Sequence, residues 1–107
     1  MDQKVQKEID LIKESILKVA PTEAIYLFGS FANGTPTQDS DIDIYVVVSD
    51  DTAGSLVDLQ AAIRAGMRKK RSMPMDLLMG KSSVFNRRKE GPTLERTIAR
   101  EGVLLYG

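Results

Sequence analysis

The stretch "LFGSFANGTPTQDSDIDIYVVV", residues 27–48, decides the reading of this chain. A hydrophobic run ends at Gly29-Ser30, a polar loop with Gly34 and Pro36 follows, and Asp41 and Asp43 open a second hydrophobic run. "DIDIYVVV" alternates with a period of two, the mark of a strand. That period places Asp41, Asp43, Tyr45 and Val47 on one face and Ile42, Ile44, Val46 and Val48 on the other. Two carboxylates on one face repel unless a cation lies between them. Magnesium suits such a position, because it takes oxygen ligands and is held by a few carboxylates together with substrate phosphates. Upstream, "EAIYLFG" is short, β-branched and aromatic, and predicts a strand over 24–28 closed by Gly29. Gly29 admits close backbone approach, and Ser30 is suited to cap one helical turn whose free amides and hydroxyl can meet a phosphate.

Working outward, "MDQKVQKEIDLIKESILKVAP" predicts an amphipathic helix, with Val5, Ile9, Ile12, Ile16 and Val19 on one face and Pro21 ending it. "SLVDLQAAIRAGMRKKR" predicts a second, with Leu56, Leu59, Ile63 and Met67 aligned. "SMPMDLLMG" reads as a third strand in which Pro74 favours an early or edge position. Asp76 lies in that strand and completes an acidic triad with Asp41 and Asp43 if the strand adjoins the second one. "SSVFNRRKEG" has no legible period. "PTLERTIAREG" predicts a last helix between Pro92 and Gly102, and "VLLYG" a final short strand. Alternating helices and strands without a repeat predict one compact α/β domain, a sheet packed with helices, over residues 1–107.

Composition restricts the chemistry. The 107 residues carry 15 Lys and Arg against 15 Asp and Glu, a formal net charge of zero, which argues against bulk nucleic-acid binding. There is no cysteine and no histidine, so thiolate nucleophiles, zinc–thiolate sites and Ser-His-Asp chemistry are excluded. Catalysis must come from carboxylates, hydroxyls, amines and a bound metal. No run is long enough for a membrane span, and the charged amino-terminal segment is unlike a signal, so a cytoplasmic location is expected. A phosphate cradle facing a carboxylate–metal cluster suits phosphoryl or nucleotidyl transfer, in which two metal ions stabilise the attacking and leaving oxygens.

At "GSFANGTPTQDSDID" the chain resembles the minimal nucleotidyltransferases of the DNA polymerase beta-like superfamily. Gly29, Ser30, Gly34, Ser40, Asp41 and Asp43 match its Gly-Ser…Gly…Ser-Asp-x-Asp pattern, and "MPMDLL" places Asp76 at its third carboxylate. Asn33 stands where many members have Arg. The resemblance implies a mixed sheet, a single nucleotidyltransferase domain and two Mg2+ ions held by Asp41, Asp43 and Asp76. It also implies ATP or another nucleoside triphosphate bound around Gly29, Ser30, Gly34 and Ser40. Stand-alone chains this small resemble the antitoxin of two-gene pairs that transfers AMP to a hydroxyl, a tyrosine of a helical HEPN-type ribonuclease. A non-catalytic module that binds nucleotide or masks a partner is the alternative, as is small-molecule transfer of the antibiotic type, which normally needs an additional acceptor-binding domain. The basic runs Arg68–Arg71 and Arg87–Lys89 read as solvated helix ends or as contacts for a partner. The methionines 67, 73, 75 and 79 read as core filler, and Tyr26 and Tyr45 as half-buried.

Overall fold

Asp2 starts the first helix. Its carboxylate accepts the Lys4 N–H at 2.7 Å, satisfying one of the amides that a helix start leaves free. The computed structural model describes residues 2–107, so the first residue of the expected helix, Met1, lies outside the described residues. Helix α1 runs Gln3–Val19 and ends at Ala20, which is extended and precedes Pro21. Val5, Ile9, Ile12 and Ile16 form its buried stripe, as their four- and three-residue steps require.

Strand β1 covers Thr22–Phe28, two residues more than the 24–28 expected. The extension is a tertiary effect: Thr22 pairs with Val48 across an irregular step before Ala24, and the Ser49 N–H bonds the Pro21 carbonyl at 2.9 Å. A single helical turn, α2 (Ser30–Asn33), leads through the loop to β2 (Ile42–Val48). Helix α3 (Leu56–Met67) returns the chain to β3 (Met75–Lys81), which lies parallel to β2. A parallel pair needs such a crossover. Helices α4 (Ser82–Arg88) and α5 (Leu94–Glu101) then precede β4 (Val103–Tyr106).

The four strands form one mixed sheet in the order β3-β2-β1-β4, with β1 antiparallel to both neighbours. The expected mixed sheet packed with helices is present, and Pro74 leads into an edge strand, where its carbonyl accepts the Ile42 N–H at 3.0 Å. One face packs Ile25, Leu27, Ile42, Ile44, Val46 and Val48 against α1 and, through Ile63 and Met67, α3. The opposite face packs Tyr45 and Val47 against Phe85 of α4 and Ile98 of α5. Met67 and Met75 are buried, and Met73 and Met79 pack at the margin of the first cluster, as core filler should.

Two expectations need correction. The segment without a legible period folds as α4, anchored by Phe85, whose ring stacks on Tyr26 at 5.6 Å and tilts against Tyr45 at 5.3 Å. One buried residue in a seven-residue helix leaves no periodic trace. Tyr45 is buried rather than half-buried, because α4 and α5 cover it and its hydroxyl donates to Glu95 Oε2 at 3.2 Å.

Candidate functional site

The register of the sheet assembles the site. Phe28 of β1 pairs with Asp43 of β2, and Asp43 pairs with Asp76 of β3. Partners in register point to the same face, so the row Phe28, Asp43, Asp76 crosses three strands spaced about 4.8 Å apart. Asp41 lies one residue before β2 and, two residues from Asp43, shares its face. The condition set for the triad, that the third strand adjoin the second, is met in register.

Asp43 feels both neighbouring acids. Burial pushes the Asp43 carboxyl above its ordinary value, and the charges of Asp76 and Asp41 and a hydrogen bond with Asp76 push it further. Burial and concentrated negative charge both push a carboxyl in this direction. Among the described residues no three His, Cys, Asp or Glu side chains form a ready-made metal group. The donor set nevertheless fits magnesium in kind: oxygen ligands only, two of them on residues paired in register across adjacent strands, and a third acid whose charge reaches Asp43.

Gly29 has a second role beside the one expected. It has φ +76°, and a Cβ there would overlap Oδ2 of Asp43 and lie 3.1 Å from its Cγ. The glycine makes room for the acid. Gly29, not Ser30, occupies the N-cap position of α2, and no side chain caps that turn. Ser30 is the first helical residue, so the expected capping bond is absent and its hydroxyl is not used to close the helix. Gly34 closes α2 in the left-handed conformation, φ +75°, with its N–H on the Ser30 carbonyl. A Cβ there would meet open space, so its requirement is conformational. Ser40 ties the loop together: its Oγ accepts the Thr37 N–H at 2.8 Å and its N–H bonds the Thr37 carbonyl at 3.2 Å.

Two supporting groups escape a sequence reading. Glu8 of α1 is buried and accepts Ser72 N–H at 2.7 Å, Ser72 Oγ–H at 3.0 Å and Met73 N–H at 3.1 Å. It ties α1 to the segment that enters β3 two residues later and thereby helps place Asp76. Glu95 of α5 accepts the Tyr45 hydroxyl, and its Oε1 lies 3.1 Å from Arg88 Nε without hydrogen-bond alignment. Burial raises the Glu95 carboxyl, but its own backbone N–H, Arg88 and Tyr45 outweigh that and hold it below the usual range. The only sequence signal for Glu8 is its place beside Ile9, on the flank of the apolar stripe. Glu95 shows only as an acid in the first turn of α5.

Residues 10–107 match the family model described as Polymerase beta, Nucleotidyltransferase. No match to a curated protein was found. Among solved structures, a protein from Sulfolobus solfataricus assigned as a nucleotidyltransferase superposes with a TM-score of 0.57 at 20% identity, covering 97% of this chain and 86% of its own. A toxin–antitoxin structure with AMP-PNP has a TM-score of 0.51 at 23% identity, and covers 95% of this chain and 72% of that one. A variant of the toxin–antitoxin MntA–HpeT reaches 0.53 at 23% identity, with the same coverage. At these identities the likeness to solved structures is one of fold.

Proposed function

We propose that this chain, which belongs to the polymerase beta nucleotidyltransferase family, transfers AMP from ATP to a hydroxyl of a partner protein. In this reading residues 1–107 act as one nucleotidyltransferase domain in the cytoplasm. The observation that carries it is the register that sets Asp43 beside Asp76, with the Asp43 carboxyl raised by burial and by both neighbouring acids.

Each residue then has a task. Asp41, Asp43 and Asp76 would hold Mg2+, two ions in the reading the resemblance implies. Bound there, the metal would supply positive charge for the oxygens at phosphorus, the chemistry of a two-metal displacement. Gly29 leaves room for both the Asp43 carboxylate and a phosphate. Ser30, whose hydroxyl is not used in capping, and the free amides of α2 face the phosphates. Gly34 and Ser40 keep the loop between α2 and Asp41 in shape. As the acceptor oxygen bonds the α-phosphorus of ATP, the bond to pyrophosphate breaks and pyrophosphate leaves, while one of the carboxylates or water takes the hydroxyl proton.

A protein acceptor fits the open side of the site. Beyond Asp43 lies the edge strand β3, where Asp76 and Leu78 are exposed. The toxin–antitoxin neighbours, one of them with AMP-PNP, support a separately encoded partner, in this reading a helical HEPN-type protein modified on tyrosine. The exposed segments Arg68–Arg71 and Arg87–Arg88 offer charge that would speed encounter with an acidic surface.

The test is incubation with labelled ATP and magnesium, with and without the co-expressed product of the adjacent gene, followed by intact-mass analysis. A gain of one AMP on that product, lost in Asp43→Asn, is the expected result. Efficient transfer to a small molecule with none to the protein would replace the protein acceptor. Transfer undiminished in Asp43→Asn would remove the assignment of the acids.

A further inference from the structure

The start of β3 carries Asp76 and rests on few supports. The strand lies at the edge of the sheet, so β2 alone pairs with it. It is entered through Pro74, which has no N–H to give, and the Pro74 carbonyl accepts the Ile42 N–H at 3.0 Å. From α3, Arg64 donates to the Met75 carbonyl at 3.4 Å, a long bond. The burial of Met75 and Leu77 settles which face Asp76 takes. It does not settle how closely the entry to the strand stands to β2. Asp41 and Asp43 lie on that side, and like charges push Asp76 away whenever no cation lies between them.

We propose that Glu8 is a positioning residue for the metal site: through Ser72 and Met73 it holds Asp76 beside Asp43, so that both can ligate one magnesium ion. The inference rests on the metal reading of the acids above and goes beyond it in giving α1 a task there. Glu8 is 5% exposed, and its two oxygens take up three donors. Oε1 accepts the N–H groups of Ser72 and Met73, and Oε2 accepts the Ser72 hydroxyl. Burying a carboxylate is costly unless its acceptors are used, and here all three bonds fall on one dipeptide. That dipeptide ends three residues before Asp76, about 10 Å of extended chain. Pro74 lies between with its fixed φ, so a shift of the dipeptide is passed on to the strand rather than absorbed.

Magnesium makes the position matter. It takes oxygen ligands at about 2.0–2.1 Å in a near-octahedral array and tolerates displaced ligands poorly. Groups that orient metal ligands typically set affinity by about ten- to a hundredfold, and Glu8, acting through backbone, belongs at the low end. The clasp works by hydrogen bonding rather than by charge, so glutamine at position 8 can keep all three contacts. Its carbonyl oxygen accepts both amides, and its nitrogen donates to the Ser72 oxygen, which accepts as readily as it donates. Glu8 also precedes residue 10, where the match to the family model begins, so the clasp reaches beyond the matched residues.

The experiment titrates Mn2+, followed by electron paramagnetic resonance, into the full chain and into Glu8→Ala, Glu8→Gln and Ile12→Ala, with urea unfolding of each. Mn2+ stands in for magnesium as an ion that takes octahedral oxygen ligands. Glu8→Ala should bind Mn2+ roughly tenfold more weakly than the wild type. Glu8→Gln should restore the affinity to within about twofold. Ile12→Ala, destabilised in the same helix without loss of any of the three bonds, should keep the wild-type affinity, which separates positioning from stability. A second measurement needs only the wild type and stands even where Glu8→Ala does not fold. If closing the clasp strengthens metal binding, metal binding must stabilise the clasp by the same factor. Hydrogen exchange at the Ser72 and Met73 amides should therefore slow roughly tenfold on saturation with magnesium. Unchanged Mn2+ affinity in Glu8→Ala, no rescue in Glu8→Gln, an equal loss in Ile12→Ala, or exchange unaltered by magnesium overturns the role of Glu8 while leaving the metal reading of the acids standing. Absence of Mn2+ binding by the wild type overturns that reading and this inference with it.

Discussion

The two faces of the sheet solve different problems with the same strands. On the α1 and α3 side, Ile42, Ile44, Val46 and Val48 of β2 are fully or almost fully buried among aliphatic side chains. On the other side, the alternate residues of β2 carry Asp43 at one end and Tyr45 and Val47 further along, the tyrosine bonded to Glu95. The first face contributes stability, since fully burying an aliphatic side chain is worth about 1.5–3 kcal/mol. The second holds charge together at Asp43 and Asp76, against the burial and the mutual repulsion that raise the Asp43 carboxyl. In the proposed reading, the acids sit on the face with the thinner apolar cover, and the dense face offsets their cost.

Substitutions on each side should separate these contributions. The largest effect is expected at Asp43→Asn. AMP transfer should fall by roughly a thousandfold, as for the loss of a principal electrostatic group, while thermal stability at neutral pH stays the same or rises because one of three like charges is gone. Labelled-ATP transfer and calorimetry on the same preparation check both halves. A large fall in melting temperature would mean that the acids stabilise the fold.

On the opposite face Ile12→Ala should invert that pattern. Removing a fully buried side chain from α1 should cost about 3 kcal/mol of unfolding free energy, measured by urea titration, with transfer per folded molecule unchanged. If activity per folded molecule drops as well, the two faces are coupled more tightly than their separate clusters suggest.

Glu95→Gln addresses the polar end of the face that carries the acids. Glu95 is held below the usual carboxylate range in the folded chain. Its ionised form therefore stabilises the fold above the ordinary Glu value of about 4.3, and this contribution is lost as pH falls through the lowered folded value. The wild type should lose stability more steeply than Glu95→Gln when melting temperature is followed downward from pH 5. At pH 7 the variant should be weaker by about 1 kcal/mol, since the Arg88 partner is half exposed and such pairs contribute little. Parallel acid profiles for the two proteins would place the acid sensitivity elsewhere.

The smallest structural effect should come from Ser30→Ala. Its hydroxyl caps nothing, so unfolding free energy should change by less than about 0.5 kcal/mol. Magnesium–ATP affinity, followed by calorimetry, should fall. Unchanged affinity would remove Ser30 from the phosphate contacts.

Much of this arrangement is legible without coordinates. The alternation in residues 41–48 gave the two faces of β2, and the four- and three-residue steps of α1 gave its buried stripe. Both are single-element periodicities, which local sequence carries. The position of Asp76 needed a condition, because a strand's neighbours are set by how the chain crosses over, and only the sheet shows β3 in register with β2. Glu8 and Glu95 were not legible. A buried carboxylate looks like any surface acid until its partners arrive, and those of Glu8 come from 64 residues away. Helix α4 stayed hidden because Phe85 gains its meaning only beside Tyr26 and Tyr45.

The sequence by itself determined the inventory and the local rules. With no histidine and no cysteine, chemistry falls to acids and hydroxyls. Glycines at 29 and 34 permit positive φ, and Asp41 and Asp43 share a face wherever the strand lies. Tertiary structure alone decided the distances between elements. It set Asp43 against Asp76 and used the missing Cβ of Gly29 to accommodate the Asp43 carboxylate. The physical reason is range: periodicity and capping act over a few residues, whereas strand pairing and burial join residues far apart in the chain.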